Sequence, residues 1–393
     1  MNNIFKELKF TENLDEQILF GKAIAETYTE ANINQIKRYF DGVKDWEKKC
    51  PYSKEVMLYK SIYENWIYGI RPEQQIYFHL LDKSHEVKKT YMGQMESFVY
   101  YARLNRKADT NLFEDKWETY KMLKPYYHRE IIKIDSRDDY QKFLDFIGRH
   151  PQFVLKPTGL HDTYGVEFVD STKYDDLRTL FDKMFNMGDK YADDYTMMGC
   201  EKSGAVLEEV IHQDLEFGIM SPKSLNAVRV PAIRVNGRVY LHGCWMKIGC
   251  NDDLIVGESR NDIMVGVDEK TGVFNTVGFF ENGDKTEIHP VSKMQIKGFQ
   301  IPKWDELVKM VKEIGMSMRP TVNYISWDLT LTPDGWSIVE GNFYGQSLWQ
   351  IVQERGMKKE FGDLIGWHMD PDKFWWQYKI KYVEKEAGLH DND

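Results

Sequence analysis

The stretch Trp327–Asn342, WDLTLTPDGWSIVEGN, constrains the fold more than any other part of the chain. Ile325, Trp327, Leu329 and Leu331 alternate with Ser326, Asp328, Thr330 and Thr332, the period-two signature of a strand with one apolar face. Pro333, Asp334 and Gly335 then supply a turn, read as a three-residue loop closed by a glycine bulge. Counting back from that loop pairs Thr332 with Trp336, Thr330 with Ile338, Asp328 with Glu340 and Ser326 with Asn342. Two carboxylates are then directly opposite, with Cβ atoms about 4.5–5.5 Å apart. Like charges in that position destabilise a strand pair, so a cation belongs between them. Asn342 falls on the same face and adds a carbonyl oxygen. A few oxygen ligands suit Mg²⁺, which keeps several waters and takes its other ligands from substrate phosphates. The alternative is that Asp328 or Glu340 pairs with a lysine or arginine on a solvated sheet face.

Composition narrows the class. A chain of 393 residues with 42% hydrophobic and 29% charged residues has the makings of two or three packed subdomains and is not a disordered tail. It has no run of about 18 or more apolar residues, which argues against a membrane span, and its first residues lack a signal-peptide core. The net charge of −10 argues against nonspecific nucleic-acid binding. Cys50, Cys200, Cys244 and Cys250 fall in no metal-ligand spacing and read as reduced thiols of a cytoplasmic protein.

The first hundred residues read as helices, with apolar residues at three- and four-residue intervals over 14–43 and 53–69; a further helix is predicted over 113–125. From Pro151 short β-rich runs follow one another, interrupted by helices predicted over 175–187 and 301–318, the latter entered through Pro302 and Asp305. Strands and helices without strict βαβ alternation predict an α+β body behind a helical N-terminal region.

Three segments could hold a nucleotide. FVLKPTGLHDTYGVEFV reads as strand, loop and strand, with Lys156 placed to meet a phosphate, although a lysine before such a turn is also a common surface residue. GAVLEEVIHQDLEF is an apolar strand carrying Glu208 and Glu209, followed by Asp214 and Glu216. It suits an edge that offers backbone groups to a purine and a carboxylate to ribose, and equally an edge protected by charges. In SLNAVRVPAIRVNGRVYLHGCWMKIG a hairpin at Asn236-Gly237 with a regular turn pairs Asn226 with Lys247 and puts Arg229 on the other face. A bulge near Pro231 would bring Arg229 round to Lys247, where both could meet a γ-phosphate; otherwise they are two solvated cations.

Taken in order, EDKWETYKMLKPYYHREIIKI, FVLKPTG, VLEEVI, SLNAVRV, MKIG, IPKWDEL and the closing hairpin resemble the ATP-grasp superfamily, and more narrowly its sugar-transfer-associated members, over about residues 110 to 355. The resemblance implies two α+β subdomains gripping ATP. The expected division is a helical region over 1–105, a part with the adenine-binding strands over 106–220, and a part with the hairpin over 221–380. It further implies that Lys116 and Lys156 contact phosphates, and that the strand with Glu208, Glu209, Val210 and Ile211 holds the adenine through its backbone. Glu216, in preference to Asp214, would take the ribose. Arg229 and Lys247 would neutralise the γ-phosphate and an acyl-phosphate. Asp328, Glu340 and Asn342 would hold one or two Mg²⁺, with Mn²⁺ able to substitute. SRNDIMVG departs in order from the superfamily's Asp-Asn segment, so Asn261 and Asp262 receive no role.

The implied reaction is an ATP- and Mg²⁺-dependent carboxylate–amine ligation through an acyl-phosphate, joining an amino acid or amino sugar to a carboxylate in surface polysaccharide biosynthesis. Its partners would be small carboxylate and amine substrates, some sugar-linked. A peptide or amino-acid ligase with no sugar substrate and a catalytically silent nucleotide-binding scaffold are the rival readings. The missing GxxxxGK[ST], HRD, DFG and HExxH motifs argue against P-loop enzymes, protein kinases and common metallohydrolases.

Overall fold

Two antiparallel sheets organise the chain in the computed structural model, which describes residues 4–159, 165–185, 204–250, 262–280, 282–343 and 347–378. The smaller comprises β1 (Ile131–Ile134), β2 (Gln152–Pro157), β3 (Glu167–Asp170) and β4 (Ala205–Glu209) in the order β1-β4-β2-β3. Its Ile132, Ile134, Phe153, Leu155 and Leu207 pack with Phe143 and Phe146 of the helix Tyr140–Arg149 and with Leu180 and Phe181 of the helix Leu177–Phe185. Alternation leaves Lys156 and Glu208 on the opposite face.

The larger sheet holds β5 (Ala227–Val235), β6 (Arg238–Leu241), β7 (Trp245–Ile248), β8 (Ile263–Gly266), β9 (Gly278–Phe279), β10 (Lys285–Thr286), β11 (Tyr324–Thr332) and β12 (Gly335–Asn342). Its order is β10-β9-β8-β7-β5-β11-β12, with β6 paired to β5. One face, including Val228, Val230, Met246, Trp327, Leu329 and Ile338, shares a core with Leu307, Val311 and Ile314 of the helix Trp304–Ser317. That helix begins at Trp304 because Lys303 caps it in the left-handed region (φ 53°), two residues after the predicted start at Pro302.

The predicted N-terminal periodicity resolves into helices Leu14–Ala25, Glu30–Asp41, Lys54–Tyr68 and Gln94–Leu104, the first two separated by a break capped by Thr29. The predicted helix at 113–125 is Lys116–Leu123, followed by a 3₁₀ turn through Pro125. The helical region covers one end of the second face of the large sheet. Ile233, Trp245, Met264, Phe279 and Tyr324 share its core, as do Trp349, Phe361 and Trp375 from the C-terminal segment. Asn105 fixes this contact: its amide oxygen accepts from the backbone of Asn323 (2.8 Å) and Tyr324 (2.9 Å), and its nitrogen donates to the Tyr324 carbonyl (2.8 Å). Tyr101 stacks on Tyr324 with ring centroids 4.2 Å apart. No described helix is long and apolar enough to cross a membrane.

Asn105→Ala strands two backbone N–H groups at the head of β11, so it should lower the unfolding free energy by about 3 kcal/mol. Urea unfolding monitored by tryptophan fluorescence measures this. A loss below about 0.5 kcal/mol, the range of ordinary surface changes, would mean that the helical region is not clamped to the strand there.

Candidate functional site

The hairpin forms with both predicted polar pairings and a different route to them. Ser326 pairs with Asn342 and Asp328 with Glu340, as expected, whereas Thr330 pairs with Ser337 and Thr332 with Gly335. The turn is a two-residue loop in which Gly335 takes φ 116° and its carbonyl accepts from the Thr332 hydroxyl at 2.8 Å. The extra residue sits in the strand, where the register shifts between Asp328 and Leu329 and Val339 is left as the bulge. Without that bulge the two-residue loop would set Asp328 against Val339. Gly341 pairs with Trp327, and a Cβ there would come within 2.6 Å of the indole ring, so the residue between Glu340 and Asn342 has no room for a side chain.

A cation for Asp328 is supplied by β5, from the side away from Glu340. Arg229 pairs with Asp328 across the sheet and grips it with two parallel hydrogen bonds, one from its terminal nitrogen at 2.7 Å. The alternative of a basic partner for Asp328 is therefore realised, on a buried face instead of a solvated one. Asn342 donates to the same carboxylate at 3.3 Å. Burial pushes the Asp328 carboxyl up, Arg229 pulls it back, and Glu340 opposite pushes it up again.

Register decides the orientation of Arg229. The Asn236-Gly237 turn pairs Val235 with Arg238, but beyond Ala232 and Leu241 the β5–β7 ladder has moved by one residue. The irregularity lies opposite Pro231, at Gly243 and Cys244, so Lys247 pairs with Ala227 instead of Asn226. Arg229 and Lys247 thereby share one face, as the bulge reading required. Lys247 stands 3.5 Å from Asp262, a carboxylate only 2% exposed at the head of β8. Asn261 lies outside the described residues.

The small sheet presents a second buried charge cluster. Lys156 on β2 is 3.0 Å from the Glu208 carboxylate on β4. Arg129, just before β1, donates to the same Glu208 oxygen through Nε (3.0 Å) and a terminal nitrogen (2.9 Å). Its other terminal nitrogen donates to the Ile338 carbonyl of β12 at 2.6 Å and to the Ser337 hydroxyl at 3.3 Å. Burial would raise the Glu208 carboxyl, but Lys156 and Arg129 overcome this and hold it down to about 2. Neither Arg129 nor Asp262 was assigned a role from sequence. An arginine after a helical segment has no spacing signature, and Asp262 is joined to Lys247 only by the β7–β8 pairing.

The remaining candidates lie on the helix Lys116–Leu123 and on β4 and the segment after it. Lys116 opens its helix beside the cap Asp115, and its backbone donates to the Thr158 carbonyl at 2.9 Å, tying it to the loop after Lys156. The Glu209 carboxylate accepts from the Glu130 backbone at 3.0 Å. Val210 and Ile211 follow β4 in a half-buried, non-ladder segment. Asp214 spends its carboxylate on the backbone of Glu216 (2.9 Å) and Phe217 (3.3 Å), whereas Glu216 is exposed. Of the loop after Lys156, residues 160–164 lie outside the described residues.

The donor set fits a divalent cation. Asp328 and Glu340 are directly opposed, Asn342 is next on the same face, and the Thr330 hydroxyl beside them is wholly buried without a hydrogen-bond partner. A hard cation needs six oxygens, and two carboxylates plus an amide leave the balance for water and phosphate. The described residues hold no group of three or more His, Cys, Asp and Glu that could ligate a metal without such help.

A family model described as sugar-transfer associated ATP-grasp matches residues 96–364. No curated protein matches by sequence. Among solved structures, N5-carboxyaminoimidazole synthetase from Staphylococcus aureus is similar at 13% identity over 60% of this chain and 45% of its own, with a TM-score of 0.34. D-alanyl-alanine synthetase A from Vibrio cholerae is similar at 13% identity over 64% and 63%, TM-score 0.35. D-alanine–D-alanine ligase from Helicobacter pylori is similar at 13% identity over 67% and 70%, TM-score 0.36. The chain thus spans less than two thirds of the first two, and likeness this slight assigns no residue.

Glu208, with a depressed carboxyl, contributes stability that is complete above its unfolded value of about 4.3 and is lost as the pH falls toward about 2. Glu208→Gln should therefore be the less stable protein at pH 7. Its deficit should shrink by about 1.4 kcal/mol per pH unit between about pH 4.3 and about 2, as the unfolded chain's carboxylate takes up a proton while the native one stays ionised. Urea unfolding of both proteins at pH 7, 4 and 3 measures the gap, and a gap independent of pH would mean that the two cations do not hold this carboxylate.

Proposed function

From membership of the sugar-transfer-associated ATP-grasp family, to which this chain belongs, we propose that it is an ATP- and Mg²⁺-dependent carboxylate–amine ligase. The observation that carries the reading is the convergence of Asp328, Glu340 and Asn342 with Arg229 and Lys247 on one face of β5, β7, β11 and β12. A fold alone has no use for two opposed carboxylates and two cations on an inner sheet face, because each ion pays a desolvation cost that hydrophobic residues would avoid.

Mg²⁺, when bound, would supply positive charge that neutralises the transferred phosphoryl group. Asp328, Glu340 and Asn342 would hold the ion, and Lys116 and Lys156 would meet phosphate oxygens. The backbone of Glu209, Val210 and Ile211 would receive the adenine, and Glu216 the ribose. A substrate carboxylate oxygen attacks the γ-phosphorus as the bond to ADP breaks, leaving an acyl-phosphate. Arg229 and Lys247, held on neighbouring strands, would neutralise the charge of that mixed anhydride. An amine then attacks the acyl carbon, phosphate departs with the bonding pair, and the amine gives up a proton as the amide forms. The family description supports a sugar-linked carboxylate or amine of surface polysaccharide biosynthesis as substrate, in a cytoplasmic setting where ATP is available.

The purified protein should release ADP from Mg²⁺ and ATP only when an acceptor pair is present, tested over amino acids, amino sugars and uronic acids. Asp328→Asn and Glu340→Gln should each slow that release at least 100-fold, the scale of losing a preorganised charge at a transition state. Release with amino acids alone would replace the sugar-linked reading by a peptide-type ligase. Nucleotide binding without release under any pair would favour a silent scaffold.

A further inference from the structure

Glu208 carries two cations on one carboxylate oxygen, and the two are not equivalent. Lys156 reaches it from the neighbouring strand at 3.0 Å, on a flexible stem that leaves its side chain 14% exposed. Arg129 reaches it with a planar fork, and the same guanidinium is fastened at its far end to the Ile338 carbonyl at 2.6 Å and the Tyr127 carbonyl at 3.2 Å. Its ring-stacking partner is Tyr127, with the guanidinium carbon 4.8 Å from the ring centroid. The Arg129 side chain is 2% exposed and Glu208 is 5% exposed, so neither is drawn outward by solvent. An arginine anchored at both ends and a lysine held at one contact therefore share one buried negative charge.

We propose that Arg129 is a positioning residue: by satisfying Glu208 from a fixed point it leaves the Lys156 ammonium available to nucleotide phosphate, and by binding the Ile338 carbonyl it joins the nucleotide sheet to the metal hairpin. The inference rests on the reading of Lys156 as a phosphate ligand. The charge count shows why both parts matter. With Arg129 in place the cluster is two cations to one anion, which leaves a surplus positive charge. Without it, Lys156 and Glu208 form a closed neutral pair in a buried setting, and a phosphate must break that pair in order to bind. The hairpin end of the fork lies two residues before Glu340, beside the bulged Val339 that sets the Asp328–Glu340 register. A shift of β1 relative to β12 would thus be felt by the adenine strand and the carboxylates together.

The test is the affinity of Mg²⁺ with β,γ-methylene-ATP, measured by calorimetry beside the melting temperature of each protein. Arg129→Met should weaken binding at least tenfold. Adding Glu208→Gln to it should restore much of the loss, because a neutral amide no longer captures Lys156. Arg129→Lys, which keeps the charge and gives up the fork, should melt earlier than the native protein yet bind within about threefold of it. This variant keeps the question open to measurement if the methionine substitution fails to fold. A residue that merely supported the fold would show no recovery in the double variant, and affinity would follow the melting temperature across the series; either result overturns the proposal. If the native protein binds no nucleotide analogue while Lys156→Met melts normally, the ATP reading itself has failed, and the positioning role falls with it.

Discussion

The ion pair between Arg229 and Asp328, bidentate and partly buried across two central strands, is the interaction on which the rest of the candidate site depends. It permits a carboxylate to stand on an inner sheet face, and it does so from a strand whose own direction is set by a register shift opposite Pro231. Taking two charges out of water offsets most of what their attraction returns, so the pair is a poor source of stability. Its consequence is geometric. Arg229 holds Asp328 from one side, Glu340 opposes it from the other, and the charge left over on the carboxylates is the charge that a further cation can meet.

Much of this was legible from residue order because strand periodicity and turn chemistry are local. Alternation from Ile325 to Thr332 located β11 and its two faces, and the paired carboxylates followed from register. The register itself was reached by a compensating error. Pro333-Asp334-Gly335 was read as a three-residue loop with a bulge at the glycine, whereas the loop has two residues and the bulge is at Val339. Both arrangements insert one residue on the β12 side, so the pairings beyond Asp328 agree and those nearer the turn differ. A turn sequence compatible with both loop lengths cannot decide between them; burial of Trp336 and Ile338 against the helix Trp304–Ser317 does.

Arg129 carries no such local signal: its partners are distant in sequence, Glu208 by 79 residues and Ile338 by 209. Asp262 lies close in sequence to its partner Lys247, but the altered order of SRNDIMVG gives it no role. The helical N-terminal region was legible as helices and opaque as to place. Nothing in the spacing of its apolar residues says that Tyr101 and Asn105 close on the head of β11, because that contact consists of one stacked ring and three hydrogen bonds to backbone. The helix Tyr140–Arg149 did carry a readable stripe, Phe143, Phe146 and Ile147, within a stretch short enough to be overshadowed by the strands around it.

Placement of that helical region bears on how the site works. The face of β11 that carries Asp328 begins at Tyr324, under Tyr101, and continues to Thr330 and its partner Ser337, whose hydroxyl donates to the Tyr127 carbonyl. One strand face therefore has the helical region at its first end, the charged residues in its middle, and the small sheet's lead-in at its far end. Both neighbours grip backbone as well as side chains: Asn105 at Tyr324 and Arg129 at Ile338. With β11 held at Tyr324 and β12 at Ile338, the hairpin has little freedom to slide, and a one-residue slip of β11 would carry Asp328 to the apolar face and Trp327 to the charged one. The helical region thus bears on the candidate site through register.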